Sequence, residues 1–220
     1  MVELHYKNNF IHGDVNMIAI IDYGAGNIQS VSKALKHIGC DAFITRDKEQ
    51  ILKADGAVLP GVGSFGDTMD TMNSYGIKDT VIEYTKSGKP FLGICLGLQL
   101  LFPASEESPE SNGLGIFDGT ITKIPSGEGL KIPHIGWNSL DIKKTDGLFK
   151  GIDKNPYVYF VHSYFLNASD KNIVSAQTQY GVTIDASIEQ GNVFATQFHP
   201  EKSGETGLKI LKNFADIVMG

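Results

Sequence analysis

Residues 91–102 read FLGICLGLQLLF, which predicts a buried strand followed by an apolar helix over 96–102, with Cys95 at the junction. The central five residues, Gly93-Ile-Cys95-Leu-Gly97, form a G-x-C-x-G pattern, the nucleophile elbow with cysteine in place of serine. The glycines permit the tight turn, and the helix N-terminus that follows favours the thiolate. A free cysteine is more often a buried structural residue, so this pattern alone leaves both interpretations open.

Strands and helices alternate along the chain before this turn. Apolar runs predict three strands in that part, at 17–22, 41–45 and 56–59. Helical spacing of apolar residues predicts four helices there, at 27–38, 49–54, 66–75 and 77–87. Such alternation is typical of right-handed βαβ units around a parallel sheet.

After the turn the pattern changes. The acidic, loop-like stretch 103–113 is followed by short strands, which are predicted at 120–124, 140–143, 157–161, 173–179, 182–188 and 193–198. A last amphipathic helix is expected at about 205–218. We therefore expect one α/β domain over 17–220, with a central, mostly parallel sheet, flanking helices on both faces and additional antiparallel strands from 115 to 190. Residues 1–16 show no clear periodicity, and we expect them to be an N-terminal extension outside that domain.

The composition argues against several classes of protein. The 220 residues include 19 Lys plus Arg and 25 Asp plus Glu, a net charge of −6 that disfavours contact with nucleic acid or a polybasic contact with a membrane. No apolar run approaches the roughly 20 residues of a membrane span. The two cysteines, Cys40 and Cys95, are too few for a disulfide framework, which favours the reducing cytoplasm.

A thiol nucleophile needs a base and a group that orients the base, and residues 198–201, Phe-His-Pro-Glu, offer both. This segment ends a predicted strand, as Cys95 does, and the C-terminal ends of parallel strands meet at one edge of the sheet. Together with the elbow, it favours a triad of Cys95, His199 and Glu201 over a surface histidine beside a solvated glutamate. His134 and His162 remain alternatives for the base.

The segment 61–66, Gly-Val-Gly-Ser-Phe-Gly, allows two interpretations. It matches the dinucleotide-binding pattern G-x-G-x-x-G, with Glu83 lying 20 residues beyond Gly63. However, it follows the third predicted strand rather than the first, and Pro60 precedes it. The alternative is a loop whose backbone N–H groups face an oxyanion that develops during catalysis.

Three segments, in this order along the chain, resemble the signatures of class I (triad) glutamine amidotransferases: 60–63 (PGVG), 93–101 (GICLGLQLL) and 198–201 (FHPE). Four more resemble, within that superfamily, the glutaminase subunits of imidazole glycerol phosphate synthases: 21–28 (IDYGAGNI), 133–138 (PHIGWN), 159–164 (YFVHSY) and 200–203 (PEKS). The resemblance extends from 17 to about 219. It implies the class I glutamine amidotransferase-like fold and glutamine hydrolysis in histidine biosynthesis.

The resemblance also implies a role for each matching residue. Cys95 would attack the side-chain amide of glutamine, His199 would be general base and then general acid, and Glu201 would orient His199. The oxyanion would be held by backbone of Gly61, Val62, Gly63 and Leu96. The α-amino and α-carboxylate ends of glutamine would be held by Gln99, Glu107 and the main chain of His162, Ser163 and Tyr164. We expect no metal and no cofactor.

A partner follows from the same resemblance. Such subunits dock onto a (β/α)8-barrel cyclase subunit, which receives the ammonia through a channel and makes imidazole glycerol phosphate and aminoimidazole carboxamide ribotide. The residues that resemble the interface are Ile135, Trp137, Tyr159 and Lys202, although Trp137 has a place in the core as its alternative. Two other functions stay open: an amidotransferase that serves another synthase, and a non-catalytic nucleotide-binding α/β module that uses 61–66.

Overall fold

The computed structural model describes residues 16–24 and 27–220, so the expected extension, apart from Asn16, lies outside the described residues. The strands in the described part are β1 (Ile18–Ile21), β2 (Ala42–Thr45), β3 (Gly56–Gly61), β4 (Phe91–Cys95), β5 (Ala104–Ser105), β6 (Gly119–Lys123), β7 (His134–Ser139), β8 (Asp141–Ile142), β9 (Tyr157–His162), β10 (Tyr164–Ala168), β11 (Val174–Tyr180), β12 (Val182–Gln190) and β13 (Val193–Thr196).

The α-helices of the described ranges are α1 (Ile28–His37), α2 (Lys48–Lys53), α3 (Phe65–Ser74), α4 (Ile77–Lys86), α5 (Leu96–Gln99) and α6 (Gly204–Met219). Short 3-10 turns cover Gly147–Phe149, Lys171–Ile173 and Pro200–Lys202. Within 16–24 and 27–220, no helix has both the length and the apolar character needed to cross a membrane.

Most strands belong to one sheet, in which neighbours follow the order β2-β1-β3-β4-β13-β12-β10-β6-β5. The strands from β2 to β13 in this order are parallel, while β12, β10 and β6 extend the sheet in antiparallel pairs. At its side, β11 pairs with β12 and β8. The expected fold class, a central parallel sheet with flanking helices and added antiparallel strands, is confirmed.

Alternate side chains of the parallel strands enter two hydrophobic cores, one on each face of the sheet. Leu59 of β3 belongs to a core with Met69 of α3, whereas the preceding Val58 belongs to a core with Phe214 of α6. Because helices cover both faces, β1, β3, β4 and β13 are buried over their whole length.

Three strands were not predicted, namely β5, β7 and β10, and the helix expected over 96–102 is only the single turn α5. The segment of β7 contains Gly136 and follows Pro133, so its sequence lacks a strand pattern. It is extended, with Gly136 at φ +141, because it pairs with β9 in a separate two-stranded sheet. Only Ser163 separates β10 from β9. Tertiary pairing, rather than local propensity, decides these segments.

Three strands of the sheet end side by side. Gly61 at the end of β3 is in register with Cys95 at the end of β4, and Thr196 at the end of β13 is in register with Ile94. The residues that follow these strands therefore share one edge of the sheet, which is where ligands bind in open α/β folds.

Candidate active site

Cys95 lies where β4 ends and α5 begins, as the G-x-C-x-G pattern predicts. Its backbone has φ +56 and ψ −108, a strained conformation for a residue with a side chain, which surrounding packing must hold. Glycines make that packing possible: a Cβ at Gly97 would lie 2.0 Å from the Leu59 oxygen, and one at Gly93 would lie 2.7 Å from the Gly97 oxygen. Glycine at these positions lets α5 lie directly against β3 and β4.

His199 follows β13, and its ring is oriented by Glu201. Its Nδ1 donates to Oε1 of Glu201 at 2.8 Å, with both side chains buried, because a carboxylate can only accept. Nδ2 of Asn27 donates to the same oxygen at 3.0 Å. The backbone N–H of His199 donates to the Tyr159 oxygen at 3.0 Å. These contacts fix the ring and leave Nε2 as the nitrogen available to a reacting group.

The imidazole of His199 favours its charged form. Burial alone would lower its pKa, but the side chains of Cys95 and Glu201 outweigh burial and raise the pKa to about 9. Within the described residues, Nε2 is buried and forms no hydrogen bond of good geometry, so Cys95 is close to the ring but not aligned with it. An imidazolium beside a thiolate would supply both a proton donor and a nucleophile.

A cavity of about 390 Å³ opens beside Cys95 and His199. Its wall also contains most residues that the resemblance assigns to glutamine and to the oxyanion: Val62, Gly63, Leu96, Gln99, Glu107, His162, Ser163, Tyr164 and Lys202. Gly61 lies against α5, where a Cβ would be 2.7 Å from the Gly97 nitrogen. The other expected residues, Glu201, Ile135, Trp137 and Tyr159, are not part of the wall.

Two polar side chains of the wall have their orientation fixed. Nε2 of Gln99 donates to the Tyr164 oxygen and to Oε1 of Gln197, each at 3.0 Å, so Oε1 is the atom of Gln99 left to bind a ligand. Oε2 of Glu107 accepts from the Phe65 N–H at 2.8 Å, in the first turn of α3. Both side chains thus bring acceptor oxygens to the cavity, which favours a cationic group such as an ammonium.

His134 and His162, the alternative bases, form a buried neutral pair. Burial lowers the pKa of each to about 4. Nδ1 of His162 lies 2.9 Å from the Tyr164 oxygen, and its Nε2 lies 3.0 Å from Nδ1 of His134. A carbonyl only accepts, so Nδ1 of His162 carries the hydrogen and Nε2 accepts from His134. Neither nitrogen of His162 is then free to take a proton, whereas Nε2 of His199 has no hydrogen-bond partner in the described residues.

The glycine-rich segment 61–66 makes its contacts inside the protein. The Gly66 N–H donates to Oγ of Ser108 at 3.1 Å, where a Cβ would not fit, and Glu83 pairs with Lys48 at 3.2 Å on the surface. A dinucleotide site needs the third glycine and the acidic residue for its ligand, so these contacts argue against that interpretation. Only the first part of the segment, at Val62 and Gly63, faces the cavity.

The two-stranded sheet of β7 and β9 lies between the cavity and an exposed apolar face. On its inner side His134 pairs with His162, and on its outer side Trp137 pairs with Tyr159. Trp137 is 54% exposed, so it is a surface residue and not a core aromatic; Ile135 and Tyr157 are exposed too. Because adjacent exposed apolar side chains of this size are typical of a protein interface, we call this outer side the apolar face.

Two further side chains, neither of them predicted from its sequence pattern, complete the site. Asn27 contacts Glu201, and Gln197 places Nε2 3.8 Å from the Cys95 sulfur. Both residues follow parallel strands at the edge that carries Cys95. Their position after strands that end at this edge is the only feature of the sequence that could have identified them as site residues. Asn and Gln are no signal by themselves, because amides also occur widely in loops.

The sequence matches the family described as glutamine amidotransferase class-I over residues 19–218. It is similar to the protein named imidazole glycerol phosphate synthase subunit HisH in Caldanaerobacter subterraneus subsp. tengcongensis, with 52% identity over 202 residues, 92% of this chain and 98% of that protein. The subunit of the same name from Methanosarcina barkeri is 50% identical over 202 residues, 91% of this chain and 98% of that protein.

Solved structures show the same fold at lower identity. A crystal structure of a glutamine amidotransferase superposes with a TM-score of 0.72 at 21% identity, over 91% of this chain and 98% of that one. A structure of PurLQS from Thermotoga maritima gives a TM-score of 0.70 at 21% identity, over 92% of this chain and 98% of that one.

Proposed function

The chain belongs to the class-I glutamine amidotransferase family, and we propose that it is the glutaminase subunit of an imidazole glycerol phosphate synthase. The observation that carries the catalytic part is the buried pair of His199 and Glu201 beside the strained Cys95 turn, at one cavity. The identity of about half of all aligned residues with the HisH proteins supports the choice of synthase.

In the proposed reaction, Cys95 reacts as the thiolate while Nε2 of His199 holds the proton, and the sulfur attacks the side-chain carbonyl carbon of glutamine. The carbon–nitrogen bond then breaks as His199 returns the proton to the leaving nitrogen, which releases ammonia and a thioester. A water molecule, deprotonated by His199, cleaves the thioester to glutamate. Glu201 is a positioning residue, because it holds the hydrogen on Nδ1 and stabilises the imidazolium.

We infer that the α-ammonium of glutamine binds the acceptor oxygens of Gln99 and Glu107. The α-carboxylate would bind main-chain N–H groups of the segment 162–164, whose conformation is fixed by the Gln99 and His162 contacts with the Tyr164 oxygen. This arrangement would put the reactive end of the substrate toward Cys95, because the ammonium site and the sulfur lie in the wall of one cavity.

The proposed oxyanion site uses backbone N–H groups of Leu96 and of the strand end at Gly61, Val62 and Gly63. Burial raises the pKa of Tyr23, and the Val62 N–H partly offsets this rise, so this N–H lies near the Tyr23 hydroxyl, although in the described residues the hydroxyl has no partner of hydrogen-bond geometry. Rotation of the peptide would turn it to the cavity, and Gly63, at φ +111, offers the backbone freedom that such a rotation needs.

We further propose that a (β/α)8-barrel cyclase covers the apolar face and takes the ammonia directly from the cavity. Val161 and Lys202 line the cavity mouth, and Val161 is the cross-strand partner of Ile135, so a protein on this face would also close the cavity. A cytoplasmic location is part of the proposal and is supported by the free state of Cys40 and Cys95.

The test mixes this chain with the cyclase subunit of a related synthase and its ribulose-phosphate imidazole precursor, and supplies glutamine labelled with nitrogen-15 in its side-chain amide. Formation of a complex, with label retained in imidazole glycerol phosphate despite excess unlabelled ammonium, is the expected result. If labelled ammonia is released but the chain and the cyclase form no complex, the chain would instead be the amidotransferase subunit of a different synthase. Absence of glutamine hydrolysis under all conditions would contradict the amidotransferase role itself.

A further inference from the structure

We propose that Gln197 is a further catalytic residue: its side-chain N–H donates a hydrogen bond to the sulfur of Cys95 and stabilises the thiolate. The inference rests on the proposed function, because it assigns a part in the same reaction. Gln197 is fully buried, and its Nε2 lies 3.8 Å from the sulfur, within the range of a hydrogen bond to sulfur.

The backbone delivers this side chain to the sulfur. Gln197 comes directly after β13, and its N–H donates to the Ala186 oxygen at 2.8 Å, which continues the contact between β13 and β12. His199 is two residues further along extended backbone, so the two side chains point to the same side. One strand end thus supplies both the base and the proposed donor.

A chain of hydrogen bonds decides which end of the Gln197 amide faces the sulfur. The Tyr164 oxygen is a carbonyl and can only accept, so the group of Gln99 that contacts it at 3.0 Å is the NH2 group. That same NH2 group contacts the second amide at 3.0 Å, so the atom it meets there is the oxygen of Gln197. The NH2 group of Gln197 is therefore the end that faces Cys95.

The sulfur has a distinct neighbour for each of its protonation states. The neutral thiol donates toward the Val161 oxygen at 4.0 Å, and this carbonyl would repel a thiolate. The Gln197 N–H favours the thiolate, and it does so without competing for the proton, since an amide does not titrate in this range. A buried donor to an anion is stronger than the same contact in water.

The experiment compares Gln197→Met with Gln197→Glu in a Cys40→Ser background, so that Cys95 is the only thiol. Iodoacetamide alkylation is followed at pH 7 and pH 10 on the full chain. We expect the ratio of the alkylation rate at pH 7 to that at pH 10 to fall about tenfold in Gln197→Met, which lacks the donor. The ratio should fall further in Gln197→Glu, whose carboxylate repels the thiolate. With the cyclase present, kcat for glutamine should fall about 10- to 100-fold while KM changes less than threefold.

Gln179→Met is the matched control, because Gln179 lies on the exposed side of β11 and contacts Thr183. It should leave both measurements unchanged. An alkylation ratio in Gln197→Met and Gln197→Glu equal to that of the parent would overturn the proposal, as would a raised KM with an unchanged kcat. Alkylation needs no glutamine, so a parent chain that does not hydrolyse glutamine would contradict the proposed function while the alkylation ratio still tests Gln197.

Discussion

The β4–α5 turn and the β7–β9 strand pair border the same cavity, but their packing is opposite. The turn lies among strands that are buried on both faces, and its glycines leave no room for a Cβ. The strand pair has one buried side, with His134 and His162, and one exposed side, with Ile135 and Trp137. The turn is therefore suited to holding one geometry, and the strand pair to sensing what covers it.

The histidines of the two regions also differ in charge. Glu201 and Cys95 raise the pKa of His199 to about 9, whereas burial without a carboxylate contact lowers the pKa of His134 and of His162 to about 4. Buried histidines thus have opposite pKa changes in the two regions. His199 has an acidic neighbour, whereas His134 and His162 are hydrogen-bonded only to neutral groups. The turn thus holds a charged histidine, as the proposed proton transfer requires, and the strand pair holds two neutral ones.

The largest effect should come from the turn. Replacing the proposed nucleophile, in Cys95→Ala, should lower glutamine hydrolysis by about 10⁴-fold or more, since the thioester route would be lost. The fold should persist, because the substitution removes one sulfur atom. Glutaminase rates and circular dichroism, with Cys40→Ala as the control, measure both points. Substantial residual hydrolysis in Cys95→Ala would remove this residue from the proposed role.

We expect the cyclase, once bound to the apolar face of the strand pair, to raise the rate of glutamine hydrolysis. If the Val62 N–H is misaligned in the free chain, hydrolysis should be about 10²–10³-fold slower than in the complex with ligand-bound cyclase. Trp137→Ala should weaken this activation, as should changes at Tyr159 and Lys202, because Trp137 and Tyr159 form the apolar face and Lys202 lines the cavity. Met219→Ala is the control, since Met219 is similarly exposed on α6. Equal rates for the free chain and the complex would contradict this switch.

The charge of His199 predicts a stability term at low pH. Its raised pKa contributes stability that is fully present below pH 6.5 and is lost as pH rises through about 9. The loss of unfolding free energy in His199→Gln should therefore be about 3 kcal/mol greater at pH 6 than at pH 10. Urea unfolding measures this difference, with the exposed His37→Gln as control. A pH-independent loss would mean that the imidazole is not charged in the folded chain.

The buried histidine of the strand pair should show a stability effect of the opposite sign. The lowered pKa of His134 contributes stability that is present above pH 6.5 and is lost as pH falls toward 4. His134→Phe keeps a ring in the stack between Phe160 and Tyr180 and removes this titration. Between pH 7 and pH 4 the variant should lose less stability than the parent, by at most about 3 kcal/mol. Urea unfolding at both pH values measures this; equal losses would mean that His134 is not held neutral.

Much of the turn could be predicted from the sequence, and little of the strand pair could. The pattern around Cys95 is local, since the glycines and the apolar runs that define the elbow lie within 12 consecutive residues. The segment of β7 contains Gly136 and has no strand pattern of its own, so only its pairing with β9 makes it a strand. The apolar face exists for the same reason, because Trp137 is exposed only as a consequence of that pairing.

The sequence by itself determined the parallel α/β half, the elbow at Cys95 and the placing of a histidine and a glutamate at a strand end. Tertiary structure alone decided that Asn27 meets Glu201 across 174 residues and that Gln197 meets Cys95 across 102. Periodicity and turn chemistry act between near neighbours, so they can be read along the chain. Which buried amide fills which gap depends on the packing of distant segments, and no local pattern records it.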